Sequence, residues 1–249
     1  MRTVLRVVSY NIHKGVRGVG PARRLEIHNL RLAIARLDAD LVCLQEVRKL
    51  NRREAKFFAH WPSQEQAEFL APQGHTAVYC SNAITRHGEH GNALLSRWPV
   101  LSQQHADMSD HRFEQRGLLH TEVQVRGQAV HVLVLHLGLM RGGRKRQLQQ
   151  VCDYVRQAIA PHAPVVVAGD FNEWNAGVRK VLAKVGLQPP SHQHLPTFPS
   201  ALPVLALDHI YTRGLQALSQ HVPHGPHWAR MSDHLPIVAE FVLPGQDLP

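Results

Sequence analysis

The chain has 249 residues, of which 44% are hydrophobic and 19% are charged, so it is long enough to bury a large core. Lysine and arginine number 28 against 19 acidic residues, which gives a formal net charge of +9. This balance fits an anionic partner such as a nucleic acid, a phosphate ester or an acidic lipid surface, and it does not choose among them. A soluble protein that is simply rich in arginine has the same balance.

The three cysteines are odd in number and match no zinc-ligand spacing. The sequence therefore indicates neither a disulfide framework nor a structural zinc site. The N-terminal segment has no apolar run of signal-peptide length, and no stretch reaches the roughly 18 apolar residues of a membrane span. We expect a cytoplasmic monomer with one domain over residues 1–249, and peripheral membrane contact is left open.

Strand and helix patterns alternate along the first part of the chain. Residues 5–10, with β-branched Val7 and Val8, predict a strand, and the spacing of apolar residues predicts a helix over 21–37. A short buried strand follows over 41–44. Residues 48–90 are polar and irregular, and we expect only a helical piece around 52–58.

The rest of the chain contains more strands than helices. Strands are predicted over residues 93–95, 117–125, 130–137, 165–168, 205–211, 217–222 and 236–241, and helices over 144–159 and 178–185. Residues 186–204 are rich in proline and histidine and predict a long loop. Several strands follow one another without an intervening helix, which indicates mixed sheets with covering helices.

Polar side chains of one chemical kind follow several of these apolar strands. In VVVAGDFNEWN, residues 165–175, a buried strand ends in a carboxylate, an aromatic ring and an amide. If the strands lie side by side, their polar ends converge on one rim of the sheets. The converging set is Asn11, Glu46, His136, Asp170, Asn172, Asp208, Asp233 and His234.

Four carboxylates, two amides and two histidines suit a hard divalent cation beside a phosphate. Mg²⁺ takes one or two carboxylates and leaves positions for water and substrate oxygens, and further carboxylates can orient histidines or an attacking water. Oxygen ligands do not distinguish Mg²⁺ from Mn²⁺. The histidine-rich segments 87–90, 192–194 and 221–227 lack helical ligand spacing, so we interpret them as solvated loop residues rather than zinc ligands.

Seven short motifs occur along the chain in the order SYNI, LQEV, GNALLSRWPV, HLGL, GDFNEW, LDHIY and SDHLPI. This order resembles that of the endonuclease/exonuclease/phosphatase superfamily, and the resemblance runs from Val7 to about Phe241. The group includes pancreatic-type deoxyribonuclease, AP endonucleases, neutral sphingomyelinases and inositol-polyphosphate 5-phosphatases. The resemblance implies an α/β fold, a four-layer αββα sandwich of two packed mixed β-sheets between helical layers.

The resemblance also implies roles for the metal side of the site and for the attacking water. Glu46 would be the principal Mg²⁺ ligand, with Asn11 adjacent and Asp233 completing the metal side. Asp170 and Asn172 would hold the nucleophilic water and the scissile phosphate.

Two histidines complete the implied machinery. His234 would act at the phosphate, with Asp208 fixing its tautomer and orientation. His136 resembles the histidine that deoxyribonuclease-like and sphingomyelinase-like members place near the leaving group, whereas AP endonucleases use a tyrosine there. The sequence therefore leans away from AP endonucleases.

Four further residues are candidates for substrate contacts. Asn92 would orient His136 or line the pocket, Arg116 would contact a phosphate, and Trp174 would line the cleft. Arg141 opens a basic run after HLGL that either grips an anionic substrate or starts a solvated helix.

The sequence thus predicts a Mg²⁺-dependent phosphoric-ester hydrolase that works as an endonuclease-like phosphodiesterase by in-line attack of water at phosphorus. A sphingomyelinase-like enzyme acting on a phospholipid headgroup fits the same site residues. A phosphomonoesterase and an inactive nucleic-acid-binding module are the remaining alternatives.

Overall fold

Two β-sheets packed against each other form the centre of the molecule. The structure is a computed structural model that describes residues 4–111, 113–173 and 177–245. Its strands are β1 (Leu5–Asn11), β2 (Val16–Arg17), β3 (Arg24–Leu25), β4 (Leu41–Val47), β5 (Thr76–Thr85), β6 (Gly88–Ser96), β7 (Val100–Asp107), β8 (Gly117–Val125), β9 (Gln128–His136), β10 (Val165–Asp170), β11 (Asp208–Arg213), β12 (Gln216–His221) and β13 (Ile237–Val242). Its helices are α1 (Ile27–Leu37), α2 (Arg52–Phe57), α3 (Gln66–Leu70), α4 (Arg141–Ala158), α5 (Gly177–Leu182) and α6 (Trp228–Met231).

Both large sheets are mixed. One has six strands in the order β12-β13-β1-β4-β6-β5, and the other has five in the order β11-β10-β9-β8-β7. β1 pairs with β4 in parallel and with β13 in antiparallel orientation. β10 likewise pairs with β9 in parallel and with β11 in antiparallel orientation. A two-stranded ribbon, β2-β3, lies outside these sheets.

The alternation of side chains along each strand divides the core into three layers. Val7 packs between the sheets with residues of β8 and β9, whereas its neighbour Val8 packs on the other face with α1 and α3. A third cluster joins the outer face of the five-stranded sheet to α4 and α5. The expected αββα sandwich is therefore confirmed. None of the helices within the described residues is long and apolar enough to cross a membrane.

The chain between β1 and α1 differs from the sequence prediction. The predicted helix over 21–37 begins only at Ile27, because Gly20–Ala22 forms a 3₁₀ turn and Arg24 and Leu25 pair with β2. Proline suits the first turn of either kind of helix, so Pro21 could not distinguish them. Pairing with a strand earlier in the chain overrides the local helical spacing.

Two strands of the large sheets, β5 and β7, escaped prediction, and β5 buries only Val78, Cys80 and Ala83 of its ten residues. Residues 48–90 contain β5 and the start of β6 in addition to α2 and α3. β7, with the sequence VLSQQHAD, is an edge strand and is mostly exposed. An edge strand with polar side chains on both faces shows no period-2 hydrophobic pattern, so only its pairing with β8 reveals it.

A histidine pair on the outer side of the five-stranded sheet makes folding stability pH-dependent. His120 Nε2 lies 3.0 Å from His131 Nδ1, and His120 Nδ1 lies 3.0 Å from the Tyr154 hydroxyl. Burial and the neighbouring His131 lower the pKa of His120 to about 4. The unfolded chain binds this proton near pH 6.5. Stability is therefore fully present above about pH 6.5 and is lost as pH falls towards 4.

We expect the melting temperature to fall less between pH 7.5 and pH 5 in a His120→Gln variant than in the unaltered protein. Thermal unfolding followed by circular dichroism at both pH values checks this. His162→Gln, which removes an exposed histidine, is the control. Equal pH responses of His120→Gln and the unaltered protein would contradict the assignment.

Candidate active site

The strand ends that were expected to converge do so at one rim of the sandwich. β9, β10 and β11 run side by side, and their register sets Asp170 opposite both His136 and Asp208. Gly169 allows the close packing of β10 on β9, since a Cβ at this position would overlap the Leu135 carbonyl oxygen. β1 and β4 bring residues of the other sheet to the same rim.

Asp170 is the centre of the site. Its Oδ1 accepts a hydrogen bond from the Asn172 backbone N–H at 2.9 Å, and its Oδ2 accepts one from Asn11 Nδ2 at 3.0 Å. The same Oδ2 lies 3.5 Å from His136 Nε2 and 3.6 Å from His234 Nε2. Asp170 is 1% exposed, so a single buried carboxylate faces two imidazoles.

His234 is held as an imidazolium. Its Nδ1 lies 2.7 Å from Asp208 Oδ2, which also accepts a hydrogen bond from the Thr197 hydroxyl at 2.6 Å. Burial opposes protonation of His234, but the charge and hydrogen bond of Asp208 and the charge of Asp170 outweigh it. The pKa of His234 rises to about 10.

His136 has the opposite protonation state although it faces the same carboxylate. Burial lowers its pKa to about 4, against the smaller opposing effect of Asp170. The site therefore pairs a neutral imidazole at His136 with a charged one at His234. Two titratable groups of one type whose pKa values are pushed apart are typical of complementary acid and base roles.

A second group of carboxylates lies beside this centre. Asn11 Nδ2 also points to Glu46 Oε1 at 3.4 Å, and Lys14 Nζ lies 2.7 Å from Glu46 Oε2. Burial disfavours the Glu46 carboxylate, yet His136 in its protonated form and the charge and hydrogen bond of Lys14 hold its pKa well below the usual range. Glu46 is therefore a half-buried anion at neutral pH, paired with Lys14.

Asp233 borders the same region. Its Oδ2 lies 3.1 Å from His13 Nδ1. Burial opposes ionisation, but the hydrogen bond and charge of His13 lower the pKa of Asp233, and the charge of Glu46 acts in the other direction. Two basic side chains, His13 and Lys14, thus face the carboxylates of Asp233 and Glu46.

Backbone strain is concentrated at these residues. Positive φ angles outside glycine occur in the described chain at His13, Lys14, Asp38, Glu46, Arg126 and Asn172. Four of these six residues belong to the rim. Such conformations cost free energy and persist where the surroundings enforce them, which occurs often at functional sites.

The donor set fits a hard divalent cation. The oxygens of Glu46 and Asp233 are the ligand type that Mg²⁺ accepts, whereas Asn11 turns its Nδ2 towards Glu46 and its Oδ1 accepts a hydrogen bond from the His13 backbone N–H. Ligand atoms of Asp170, Asp208 and His234 also lie within 4.8 Å of one another. We interpret this second trio as a carboxylate–histidine hydrogen-bond chain, because His234 Nδ1 lies 2.7 Å from Asp208 Oδ2.

Three of the four predicted substrate contacts lie in the described chain. Asn92 is fully buried between the sheets, where its Nδ2 donates to the carbonyls of Gly117 and Val134, so its described contacts are structural. Arg116 pairs with Glu114 at 3.1 Å, and its charge helps to lower the pKa of His136. Arg141 is exposed at the start of α4. Trp174 lies outside the described residues.

The basic run after HLGL is not uniformly solvated. Arg144 is buried, forms an ion pair with Glu173 at 3.2 Å and donates to the Leu139 carbonyl. Arg146 pairs with Asp110 through two contacts of 2.5 and 2.6 Å. Arg141 and Lys145 are exposed. Arg144 thus fixes the segment after His136 to the segment after Asp170.

Sequence reasoning did not assign roles to His13, Lys14 or Thr197. His13 and Lys14 closely follow Asn11 in YNIHKG, so their position was the available signal. Thr197 lies in the proline-rich loop, 11 residues before Asp208, and its hydroxyl donates a hydrogen bond to the Asp208 carboxylate. No local pattern predicts that contact.

The comparisons place the chain in one family of phosphoesterase- and nuclease-type hydrolases. The model of the Endonuclease/Exonuclease/phosphatase family matches residues 8–234, and the chain belongs to that family. It is 34% identical to the uncharacterized protein YbhP of Escherichia coli K12, over 96% of each chain.

Solved structures share the fold at lower identity. An endonuclease/exonuclease/phosphatase from Beutenbergia cavernae has a TM-score of 0.75 at 22% identity, with 100% of this chain and 74% of that chain covered. TDP2 from D. rerio, complexed with a single-strand DNA product, has a TM-score of 0.65 at 17% identity, with 96% and 99% covered.

Proposed function

We propose that the protein is a Mg²⁺-dependent phosphodiesterase that cleaves nucleic acid by in-line attack of water at phosphorus. The observation that carries the proposal is the position of Asp170 between a neutral His136 and a charged His234. A carboxylate that can accept a proton, with a charged and a neutral imidazole within 3.6 Å of it, provides groups that proton transfer around a phosphoryl centre requires.

Each side chain has a distinct task in this proposal. Asp170 orients the attacking water and accepts its proton. The charged His234 stabilises negative charge on the phosphoryl oxygens, and Asp208 holds its imidazole in place. His136 would donate a hydrogen bond to the leaving oxygen. Asn172, whose Nδ2 donates to the Leu137 carbonyl at 2.8 Å, keeps the segment after β10 against β9.

Glu46, Asn11 and Asp233 would hold the cation. Mg²⁺ supplies electrostatic stabilisation of the phosphoryl oxygens and, unlike a side chain, brings two positive charges to one point. Lys14 Nζ lies 2.7 Å from Glu46 Oε2, so a bound cation would either share this carboxylate with Lys14 or displace Lys14 from it.

Nucleic acid is the favoured substrate for two reasons. The net charge of +9 attracts a polyanion, and the fold is similar to that of a TDP2 structure complexed with a single-strand DNA product. A phospholipid-directed enzyme is the second candidate. It is favoured by exposed apolar side chains close to His136 in the chain, with Leu139 and Met140 each 66% exposed beside Arg141.

Parallel assays of the purified protein with Mg²⁺ test the proposal. The substrates are single-stranded DNA, plasmid DNA, bis-p-nitrophenyl phosphate, p-nitrophenyl phosphate and phospholipid vesicles. Cleavage of DNA and of bis-p-nitrophenyl phosphate that EDTA abolishes is the expected result. Cleavage of vesicles alone would favour the second candidate, and cleavage of p-nitrophenyl phosphate alone would identify a phosphomonoesterase.

A Glu46→Gln variant tests the cation site. Gln keeps the shape of the side chain but removes the charge that attracts the cation. We expect the Mg²⁺ concentration for half-maximal hydrolysis of bis-p-nitrophenyl phosphate to rise by more than about 10-fold. Glu122→Gln, in the half-buried part of β8, is the control. An unchanged Mg²⁺ requirement would place the cation elsewhere.

A further inference from the structure

Three arginines converge on a cavity beside the active site. The cavity has a volume of about 490 Å³ and lies between the β2-β3 ribbon, the loop at Ala201 and α6. Arg17 and Arg24 line it from the ribbon, and Arg230 lines it from α6. Glu26 is the one carboxylate among the described lining residues, so the lining has an excess of positive charge.

The three arginines lack acidic partners. Within the described residues, neither Arg17, Arg24 nor Arg230 forms an ion pair, and Arg17 hydrogen-bonds only to neutral oxygens. Glu26 is buried and accepts a hydrogen bond from Asn29 at 2.7 Å. Other arginines of the protein do have carboxylate partners, for example Arg23 with Glu54 and Arg144 with Glu173.

The strand register makes the arrangement unfavourable without an anion. Arg17 and Arg24 lie directly opposite each other in the antiparallel β2-β3 pair. Like charges at opposed positions of an antiparallel pair destabilise it. Arg230 adds a third positive charge to the same concavity. An anion bound among the three guanidinium groups would remove this repulsion.

Hydrogen bonds connect the cavity to the catalytic rim. Arg17 Nη1 donates to the Ser232 carbonyl at 3.0 Å and to the Ser200 hydroxyl at 3.3 Å. Ser232 immediately precedes Asp233 and His234, and its hydroxyl donates to the Asn11 carbonyl at 2.7 Å. The cavity therefore borders the segment that presents Asp233 and His234.

We infer that this cavity is a subsite for a second phosphate of the substrate, namely the phosphate next to the scissile one in a nucleic acid strand. The inference rests on the proposed function and names its substrate class more closely. Arginine suits phosphate because its planar guanidinium donates two parallel hydrogen bonds. A volume of about 490 Å³ accommodates more than the phosphate alone.

The chemistry of the substrate decides between the two candidate classes. Every nucleotide of a strand brings one phosphate, so a strand with its scissile phosphate at Asp170 has further phosphates on either side. A simple diester phospholipid has only the scissile phosphate and would leave the three arginines without an anion. The subsite thus favours a polynucleotide.

The test compares binding and hydrolysis in a double variant, Arg24→Gln/Arg230→Gln, which leaves the hydrogen bonds of Arg17 intact. Binding is measured by fluorescence anisotropy of a labelled single-stranded oligonucleotide, with Asp170→Ala added to each protein and EDTA present to prevent cleavage. We expect about 10-fold weaker binding and a salt dependence reduced by about 0.7 in logarithmic slope for each lost phosphate contact. Hydrolysis of bis-p-nitrophenyl phosphate, which has one phosphate, should change less than about twofold when Asp170 is retained.

Two further variants separate binding from folding. Arg36→Gln removes an exposed arginine near the far end of α1, about 14 Å along the helix from Ile27, and should leave binding unchanged. Arg24→Glu places an opposite charge beside Arg17, so it should preserve the melting temperature and weaken oligonucleotide binding more than Arg24→Gln does.

Three results would overturn the inference. The first is unchanged oligonucleotide binding in the double variant, and the second is an equal loss in Arg36→Gln. The third is a loss of binding to vesicles containing phosphorylated phosphatidylinositol while oligonucleotide binding is retained, which would assign the subsite to a lipid headgroup. If the unaltered protein hydrolyses no substrate, the proposed function fails, and the anisotropy measurement still decides whether the subsite exists.

Discussion

Replacement of Asp170 by asparagine should lower kcat/KM for bis-p-nitrophenyl phosphate by at least about 10³-fold, within the range of a lost acid–base group. Asparagine keeps the size of the side chain but cannot accept the proton of the attacking water. It also puts an uncharged group between His136 and His234, which lie 3.5 and 3.6 Å from Asp170 Oδ2. Steady-state kinetics with saturating Mg²⁺ measures the loss.

The control for this variant must remove a carboxylate that has no place in the site. Asp153→Asn does so on the outer side of α4, where Asp153 pairs with Arg156 and both are about half exposed. We expect its kcat/KM to stay within about twofold of the unaltered value, because exposed ion pairs contribute little. If the Asp170→Asn protein folds and keeps more than a tenth of the original activity, the assignment of Asp170 as the proton acceptor is wrong.

The second large effect concerns the residue that positions His234. In Asp208→Asn we expect kcat to fall by about 10³-fold while KM changes little, as for other buried carboxylates that orient a catalytic histidine. The loss of charge removes the main reason for the raised pKa of His234. The asparagine amide can also turn its N–H₂ towards Nδ1 and so select the wrong tautomer.

Thr197→Val provides the matched comparison. It removes the other hydrogen bond to Asp208 Oδ2 but leaves the carboxylate charge in place. We expect a reduction of kcat of about 10-fold, equivalent to the loss of one hydrogen bond to a charged group of about 1.5 kcal/mol. Two results would show that Asp208 stabilises the fold and does not position His234. One is an equal loss of kcat in Asp208→Asn and Thr197→Val, and the other is a rise of KM in parallel with the loss of kcat.

Much of the sandwich could be predicted locally. The buried runs that became β1, β4 and β10 are short, apolar and followed by polar residues, so the strands and the chemistry of their ends were visible together. The register of β9, β10 and β11 then confirmed that His136, Asp170 and Asp208 meet at one rim. Their roles in hydrolysis remain predictions that the variants above test.

Other features depend on partners distant in the chain. β7 is recognised only by its pairing with β8, and α1 is shortened because Arg24 and Leu25 pair with β2. The burial of Arg144 was also unexpected, because its partner Glu173 is 29 residues away. Hydrophobic periodicity compares only residues a few positions apart in sequence, so it cannot predict contacts between distant parts of the chain.

The sequence alone predicts the class of chemistry, because carboxylates, amides and histidines after apolar strands indicate a cation and a phosphate. It does not predict the protonation states of the histidines. His136 and His234 are the same residue type, and they differ because Asp208 lies 2.7 Å from one while burial dominates the other. The opposed Arg17 and Arg24 likewise follow from strand register. Charge at each group depends on desolvation and on distances of a few ångströms, which exist only once the chain has folded.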